Sequence, residues 1–357
     1  MAVTDLPAVA GVLTGADCLR TAESIAATQE SDGALPWFTG GHTDPWDHIE
    51  NAMALTVAGL RDQARAAYAW SAATQRPDGS WPMQFRRGEV ENADADTNFC
   101  AYIATGVLHF LTSTDDSAFA IDMWPTVRRA IDFVLALQQG RYGEIHWSLG
   151  PTGSSGAALL TGCSSIFHSL RCALVLADHV GDPQPEWEVA ALRLGHALRE
   201  HPEAFLDKNR YSMDWYYPIL GGAVRDRAGH GRIHSRWDDF VVDDLGIRCV
   251  SDQPWVTGAE TCELVLALDA LGDRDRAMRL FANMQHLRET DGSYWTGLVF
   301  ADGKRWPEER TTWTGAAMIL AADALSRTTA ANGIFRDLLP APTVTGHLTC
   351  DCVDTRP

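Results

Sequence analysis

The sequence predicts an all-α protein: an (α/α)6 barrel, a six-hairpin toroid of twelve helices. Residues 1–330 form one domain, and 331–357 form a C-terminal extension. Three observations carry this prediction. Two kinds of helical stretch alternate six times along the chain. A short motif recurs at turns between them. The β-branched alternation of a sheet is missing, and no Pro/Gly/Ser-rich linker divides the chain.

The first kind of stretch is polar on one face, as on a half-exposed helix. It covers 16–28, 62–74, 123–137, 186–200, a poorer segment at 233–240, and 273–287. The second kind is apolar nearly all round and must be buried. It covers 46–59, 97–111, 157–180, 215–224, 257–271 and 312–325. Six outer and six inner helices in alternation make the toroid.

The recurring motif is a Gln, then Asp-Gly, then Trp. It runs Gln29 to Asp32-Gly33 to Trp37, and Gln75 to Asp78-Gly79 to Trp81. A degraded copy joins Gln138, Gly143 and Trp147, and a fourth joins Gln285, Asp291-Gly292 and Trp295. Each follows an outer helix and precedes an inner one. Glycine accepts positive φ and ends the helix before it.

Composition narrows the function. The 357 residues are 46% hydrophobic, enough for a large core. The 47 acidic residues outnumber the 29 basic ones, for a net charge of −18. Such a surface repels phosphate backbones and anionic lipid, so nucleic acid and membrane are not expected partners. No apolar run approaches the ~18–20 residues of a membrane span, and Met1 to Arg20 lacks the pattern of a secretion signal. A soluble, cytoplasmic globule is expected. The 13 Trp often stand beside Gly, Asp or Pro, where they either anchor loops or wall a pocket suited to sugar rings. Most of the eight Cys lie in apolar helical text and read as reduced core residues. The tail around Cys350 and Cys352 lacks a second Cys pair, so no metal is expected, and no cofactor either.

The outer-to-inner turns share one face, so the inner helices start around one funnel. Acids stand there. Asp44, Asp47, His48 and Glu50 open the first inner helix, and Asp94 and Asp96 the second. Asp214 with Trp215 and Tyr216 opens the fourth, Trp255 and Glu260 the fifth, and Glu308, Glu309 and Trp313 the sixth. His146 precedes the third. Helix capping competes as the explanation of Asp44, Asp94 and Asp96. It accounts less well for Asp47, Glu50 and Glu260, which lie inside the first turns of buried helices. A buried acid is costly unless it is paired, hydrogen-bonded or facing a wet cavity. Two opposed carboxylates walled by Trp suit glycoside cleavage: one protonates the leaving oxygen, the other activates water or attacks the anomeric carbon.

The residues 96–102 and the Asp122 to Pro125 stretch resemble the six-hairpin glycosidases, such as glucoamylases. In those, the acid follows a Trp before the third inner helix and the base precedes the sixth. Here Ser148 follows Trp147, while Glu308 and Glu309 keep the second position in part, so that pair is not carried over intact. The motif copies also resemble repeats of squalene cyclases and protein prenyltransferase β subunits, and Asp94-Ala95-Asp96-Thr97 resembles the cyclases' protonating signature. Those cyclases place their cavity between two barrels, and the prenyltransferases need a zinc site and an α subunit.

Over nearly its whole length, with 207–217 and 254–263 as the carrying segments, the chain resembles the actinobacterial methylmannose polysaccharide hydrolases. That resemblance implies endo-action on α-1,4-mannosidic bonds of a partly O-methylated polysaccharide. It places the working acids at the starts of inner helices one and five, hence Asp47 and Glu260. The expected mechanism is inverting, with Glu260 the general acid, Asp47 the general base and Glu308 the reserve base. Trp46, Trp215, Tyr216, Trp255 and Trp313 are expected sugar platforms. Asp94, Asp96, Asp214, Glu308 and Glu309 are expected to hold hydroxyls or tune the acids. His48 and His146 are expected either to bind hydroxyls or to serve structure. The expected partner is a neutral oligo- or polysaccharide, with oligomeric state open. Two alternatives stand beside this: a terpenoid cyclase using Asp94 and Asp96, and a non-catalytic carbohydrate-binding barrel.

Overall fold

The computed structural model describes residues 5–337. Among them the first hairpin is α1 (Gly15–Ala26) and α2 (Pro45–Val57). The second is α3 (Arg61–Thr74) with α4 (Thr97–Ala101) and α5 (Ile103–Thr114), and the third is α6 (Ser117–Ala136) and α7 (Leu160–Val180). The fourth is α8 (Pro185–Glu200) and α9 (Ser212–Leu220). The fifth is α10 (Asp226–Ser235), α11 (Trp237–Phe240) and α12 (Gly258–Ala270). The sixth is α13 (Arg274–Asn283) and α14 (Thr312–Ser326).

The helices α2, α5, α7, α9, α12 and α14 touch in that order, and α14 returns to α2. The others pack outside this ring: α3 on α2, α6 on α5 and α7, α8 on α7, α10 on α9, α13 on α12 and α14, and α1 on α14 and α2. Every residue of α2 is buried, as is α12 from Gly258 to Asp269. These helices have no solvent face, which is why their sequences show no polar stripe.

The recurring motif is the staple between hairpins. Gln29 donates to the carbonyl of its own turn residue Gly33 (3.0 Å) and to Gln63 on α3 (3.0 Å). Gln75 repeats this with Gly79 (2.9 Å) and Thr126 on α6 (2.9 Å). Gln138 repeats it with Gly143 (2.8 Å) and Ala190 on α8 (3.0 Å). Each turn is thus tied to the next outer helix. The approach is close: a Cβ on Gly79, whose φ is +91°, would lie 2.1 Å from the Arg129 carbonyl oxygen. The fourth copy closes the circle. Gly292 sits against the backbone of Arg20 on α1, and the Thr21 hydroxyl donates to its carbonyl at 2.8 Å.

The structure departs from the sequence expectation in several places. The second inner helix is broken at Tyr102, and the fifth outer helix is split at Arg236. The third outer helix begins at Ser117, ahead of the predicted 123. Most visibly, the fold is mainly but not wholly helical. Among the described residues, ten strands of two to four residues form a pair, a three-stranded sheet and a five-stranded sheet. All lie in outer-to-inner connections, between α3 and α4, α6 and α7, α11 and α12, and α13 and α14. They are too short to show alternation, so no periodic signal announces them.

Helix α7 is long and apolar enough to cross a membrane by length and composition, contrary to the reading of the apolar runs. Here that surface packs against α5, α6, α8 and α9. Cys18, Cys100, Cys163, Cys172 and Cys262 are buried free thiols, and Cys249 is half-buried and free. Phe335, beyond α14, stacks on His168 (centroids 4.9 Å apart) and its carbonyl accepts from Arg225. Cys350 and Cys352 lie outside the described residues.

Candidate active site

Two inner helices carry carboxylates in matching register. Asp44 caps α2, accepting from the backbone N–H of Trp46 (3.0 Å) and Asp47 (2.9 Å), while Pro45 fills the first turn without an N–H to satisfy. Its other oxygen accepts from the Trp37 indole at 2.7 Å. Asp47 is then the third residue of α2, and Glu260 is the third residue of α12. Glu50 and Glu263 follow, each three positions later and so on the same helix face. The site therefore has an upper rung, Asp47 and Glu260, and a lower rung, Glu50 and Glu263. All four are at most 5% exposed. Helix α14 touches both α2 and α12 and stands between them in the ring.

Electrostatics ties the two helices together. Burial, then the charges of Asp44, Glu50 and Glu263, push the Asp47 carboxyl well above the usual range. Burial, then Glu263 and Asp44, do the same to Glu50. Glu263 accepts from the hydroxyls of Tyr216 and Tyr217, the latter at 2.5 Å. Burial outweighs these donors, and Glu263 is pushed up to about 8. On the upper rung, Glu260 Oε2 is buried with no hydrogen-bond partner among the described residues. The Cys249 thiol stands beside Glu260 and is pushed up by burial and by that charge.

The Trp46 indole N–H shares this unpartnered state, as does Asn98 Oδ1, while the Trp313 indole faces Glu50 and partly offsets its upward shift. The Trp46 and Trp313 rings meet edge to face, with centroids 6.0 Å apart. Trp46 also walls a cavity of about 200 Å³ among the starts of α2, α4, α7 and α9, with Asp96 and Trp147 on its lining. A separate cleft of about 10 Å³ lies against Glu50, Glu263, Tyr102 and Phe335, and Tyr217 lines both. Trp46 and Asn98, each with a buried polar atom lacking a protein partner, line the larger cavity, which suits it to a polar ligand. Among the described residues no group of three or more His, Cys, Asp or Glu could hold a metal.

The structure brings Asp47, Glu50, Glu260, Trp46, Trp313 and Asp96 to this site and sorts the other expected residues differently. His48 is a core strut: its Nδ1 accepts from the Leu35 N–H (3.1 Å) and its Nε2 donates to the Ala67 carbonyl (2.9 Å). Both ring nitrogens are used, so it is not a sugar ligand. Trp215 is not a platform either. It is 2% exposed, stacks on Phe240 and donates to the Arg232 carbonyl. Tyr216 is fully buried and acts on Glu263 rather than presenting a face.

Asp214 accepts from Thr161 (2.6 Å), which lines the cavity, and burial pushes its carboxyl up. Asp96 caps α4 through the Phe99 N–H, and burial pushes it up to about 7. Asp94 packs against Gly150 in the connection before α7, and His146 bonds Ser154 at 2.6 Å there. Trp255 leans on the half-exposed Trp306 at the rim, with centroids 4.5 Å apart. Glu308 and Glu309 line a different groove of about 1000 Å³, formed with Arg20, Glu23, Phe38 and Trp295. The four rung carboxylates do not line that groove.

Sequence reasoning missed Glu263, Tyr217, Asn98 and Trp147. Glu263 carried a legible signal, its three-residue spacing from Glu260. The others become visible only when the ring closes.

No protein-family model matches the chain. A protein of Mycolicibacterium hassiacum named MMP endo-(1,4)-3-O-methyl-alpha-D-mannosidase is 66% identical over 347 residues, covering 97% of this chain and 96% of that one. Among solved structures, a glycosidase in complex with glucose superposes with a TM-score of 0.69 at 14% identity, over 90% of this chain and 97% of that one. A D-mannose isomerase superposes with a TM-score of 0.68 at 10% identity, over 88% and 97%. An α-amylase from Clostridium perfringens gives 0.63 at 10% identity, over 86% and 97%. These structures share the fold. An isomerase among them shows that the fold alone does not choose the reaction.

Proposed function

The chain belongs to the family of this Mycolicibacterium hassiacum endo-mannosidase, and on that premise we propose that it cleaves internal α-1,4 bonds of a partly 3-O-methylated mannose polysaccharide. We read the fold as one (α/α)6 barrel domain and its place of action as the cytoplasm. The observation that supports the chemistry best is the upper rung: two buried acids on different helices, one of them with an unpartnered oxygen.

In this reading Glu260 enters protonated and gives its proton to the glycosidic oxygen as the bond to the anomeric carbon breaks. Asp47 enters ionised and takes a proton from a water, whose oxygen bonds to the anomeric carbon from the opposite face. Two products leave, and solvent returns the proton from Asp47 to Glu260. This outcome inverts the anomeric configuration and needs acids ~6.5–9.5 Å apart. An inner helix between their two helices supports such a gap. Trp46, Trp313 and the Trp255–Trp306 pair supply flat faces and indole donors for the sugar chain.

The test is incubation with 3-O-methylated α-1,4-mannooligosaccharides, with product lengths read by mass spectrometry and the first anomer formed read by NMR. Internal cleavage to the β-anomer is expected. No cleavage removes the reading, and an α-anomer product removes the inverting mechanism.

A further inference from the structure

The cavity beside Trp46 is lined by two unlike sets of residues. One is polar: Asp96, Asn98 with its unpartnered Oδ1, and Thr161, held by Asp214. The other is apolar: Phe99, Leu159, Ile166 and Met213, with Ile145 behind them. The space of about 200 Å³ holds roughly six waters at ~30 Å³ each, the scale of one sugar ring.

An unmodified pyranose carries hydroxyls around its rim, and each needs a partner when buried. A wall of Phe, Leu, Ile and Met offers none. A methyl ether changes the match, because it has no donor and it adds apolar surface that this wall can cover. Trp46 also lines the cavity, one residue before Asp47 on α2. We propose that the wall of Phe99, Leu159, Ile166 and Met213 selects the substrate by receiving its O-methyl group, while Asp96, Asn98 and Thr161 bind the free hydroxyls. The proposal rests on the cleavage reading above and adds the residues that read methylation.

The test compares two α-1,4-mannooligosaccharides of equal length, one 3-O-methylated and one not, on wild-type enzyme and on Met213→Gln. Gln keeps the length of Met and adds polar atoms to the apolar wall. One methyl group in an apolar pocket is worth about tenfold or more in discrimination. The wild type is expected to prefer the methylated chain by at least about that factor in kcat/KM. Met213→Gln is expected to lower the methylated-to-unmethylated ratio about tenfold, with its thermal midpoint recorded to establish folding. If the wild type cuts both chains with equal kcat/KM, this proposal fails while the endo-mannosidase reading stands. An unchanged ratio in folded Met213→Gln also overturns it. If neither chain is cut, the cleavage reading itself fails. Should the variant not fold, the wild-type ratio alone decides.

Discussion

Tyr217 donates its hydroxyl hydrogen to Glu263 at 2.5 Å, one helical turn below Glu260. Burial pushes Glu263 up to about 8, and where it is ionised its charge pushes up both Glu50 and Asp47. Removing that charge should lower the pKa of Asp47. With Asp47 as the base, activity is lost as pH falls through its pKa. Glu263→Gln should therefore move the acid limb of the kcat/KM profile to lower pH. If the alkaline limb moves instead, Asp47 is the acid and the two roles exchange. A profile that does not move would break the proposed coupling between the rungs.

Asp47→Asn and Glu260→Gln each remove one proton-transfer group while keeping its shape. General acid–base catalysis contributes roughly 10²–10⁴-fold, so kcat should fall by about that factor in each. Folding should survive, because an amide replaces a buried acid. Wild-type rates in either folded variant would exclude that residue from the chemistry.

His48 should matter to stability and not to turnover. Truncation to Ala breaks two buried hydrogen bonds and leaves a gap, costing about 2–4 kcal/mol. Burial holds the ring's pKa down to about 4, so the fold favours the neutral ring. Its contribution is intact above the ordinary value of 6.5 and is lost as pH falls toward 4. Thermal unfolding across that range should show a shallower acid decline in His48→Ala than in wild type. A large loss of kcat in the folded variant would restore a substrate role.

The staples predict a graded series. Gln75→Ala removes two donated hydrogen bonds and two accepted from the exposed Arg129, and should cost about 1–3 kcal/mol. Gly79→Ala forces a Cβ toward a backbone oxygen at positive φ and should cost roughly 3 kcal/mol or more. Denaturant midpoints check the order. Equal stability of Gly79→Ala and wild type would remove the close packing from the explanation of the motif.

The helical frame was legible because burial forces its signature onto sequence. Stretches such as 257–271 are apolar on every side, and only an inner helix has a use for that. Asp47, Glu50 and Glu260 were legible for the same reason, as acids where apolar residues belong. The short strands were not, since β3 (Ala95–Asp96) has two residues and no period. Roles that depend on a partner from another hairpin were also hidden. His48 reads as a funnel residue in the chain and becomes a strut only beside Ala67. Glu308 stands at the right turn of the sequence yet faces another groove.

The seal between Gly292 and α1 has a consequence for biosynthesis. Asp47 belongs to the first hairpin to leave the ribosome and Glu260 to the fifth, and α14 wedges between their helices last. The nascent chain therefore carries every acid long before it can bring two of them into opposition. Competence arrives in a single step, when the final hairpin seats against the first. A product truncated before Thr312 is expected to be inert rather than slow.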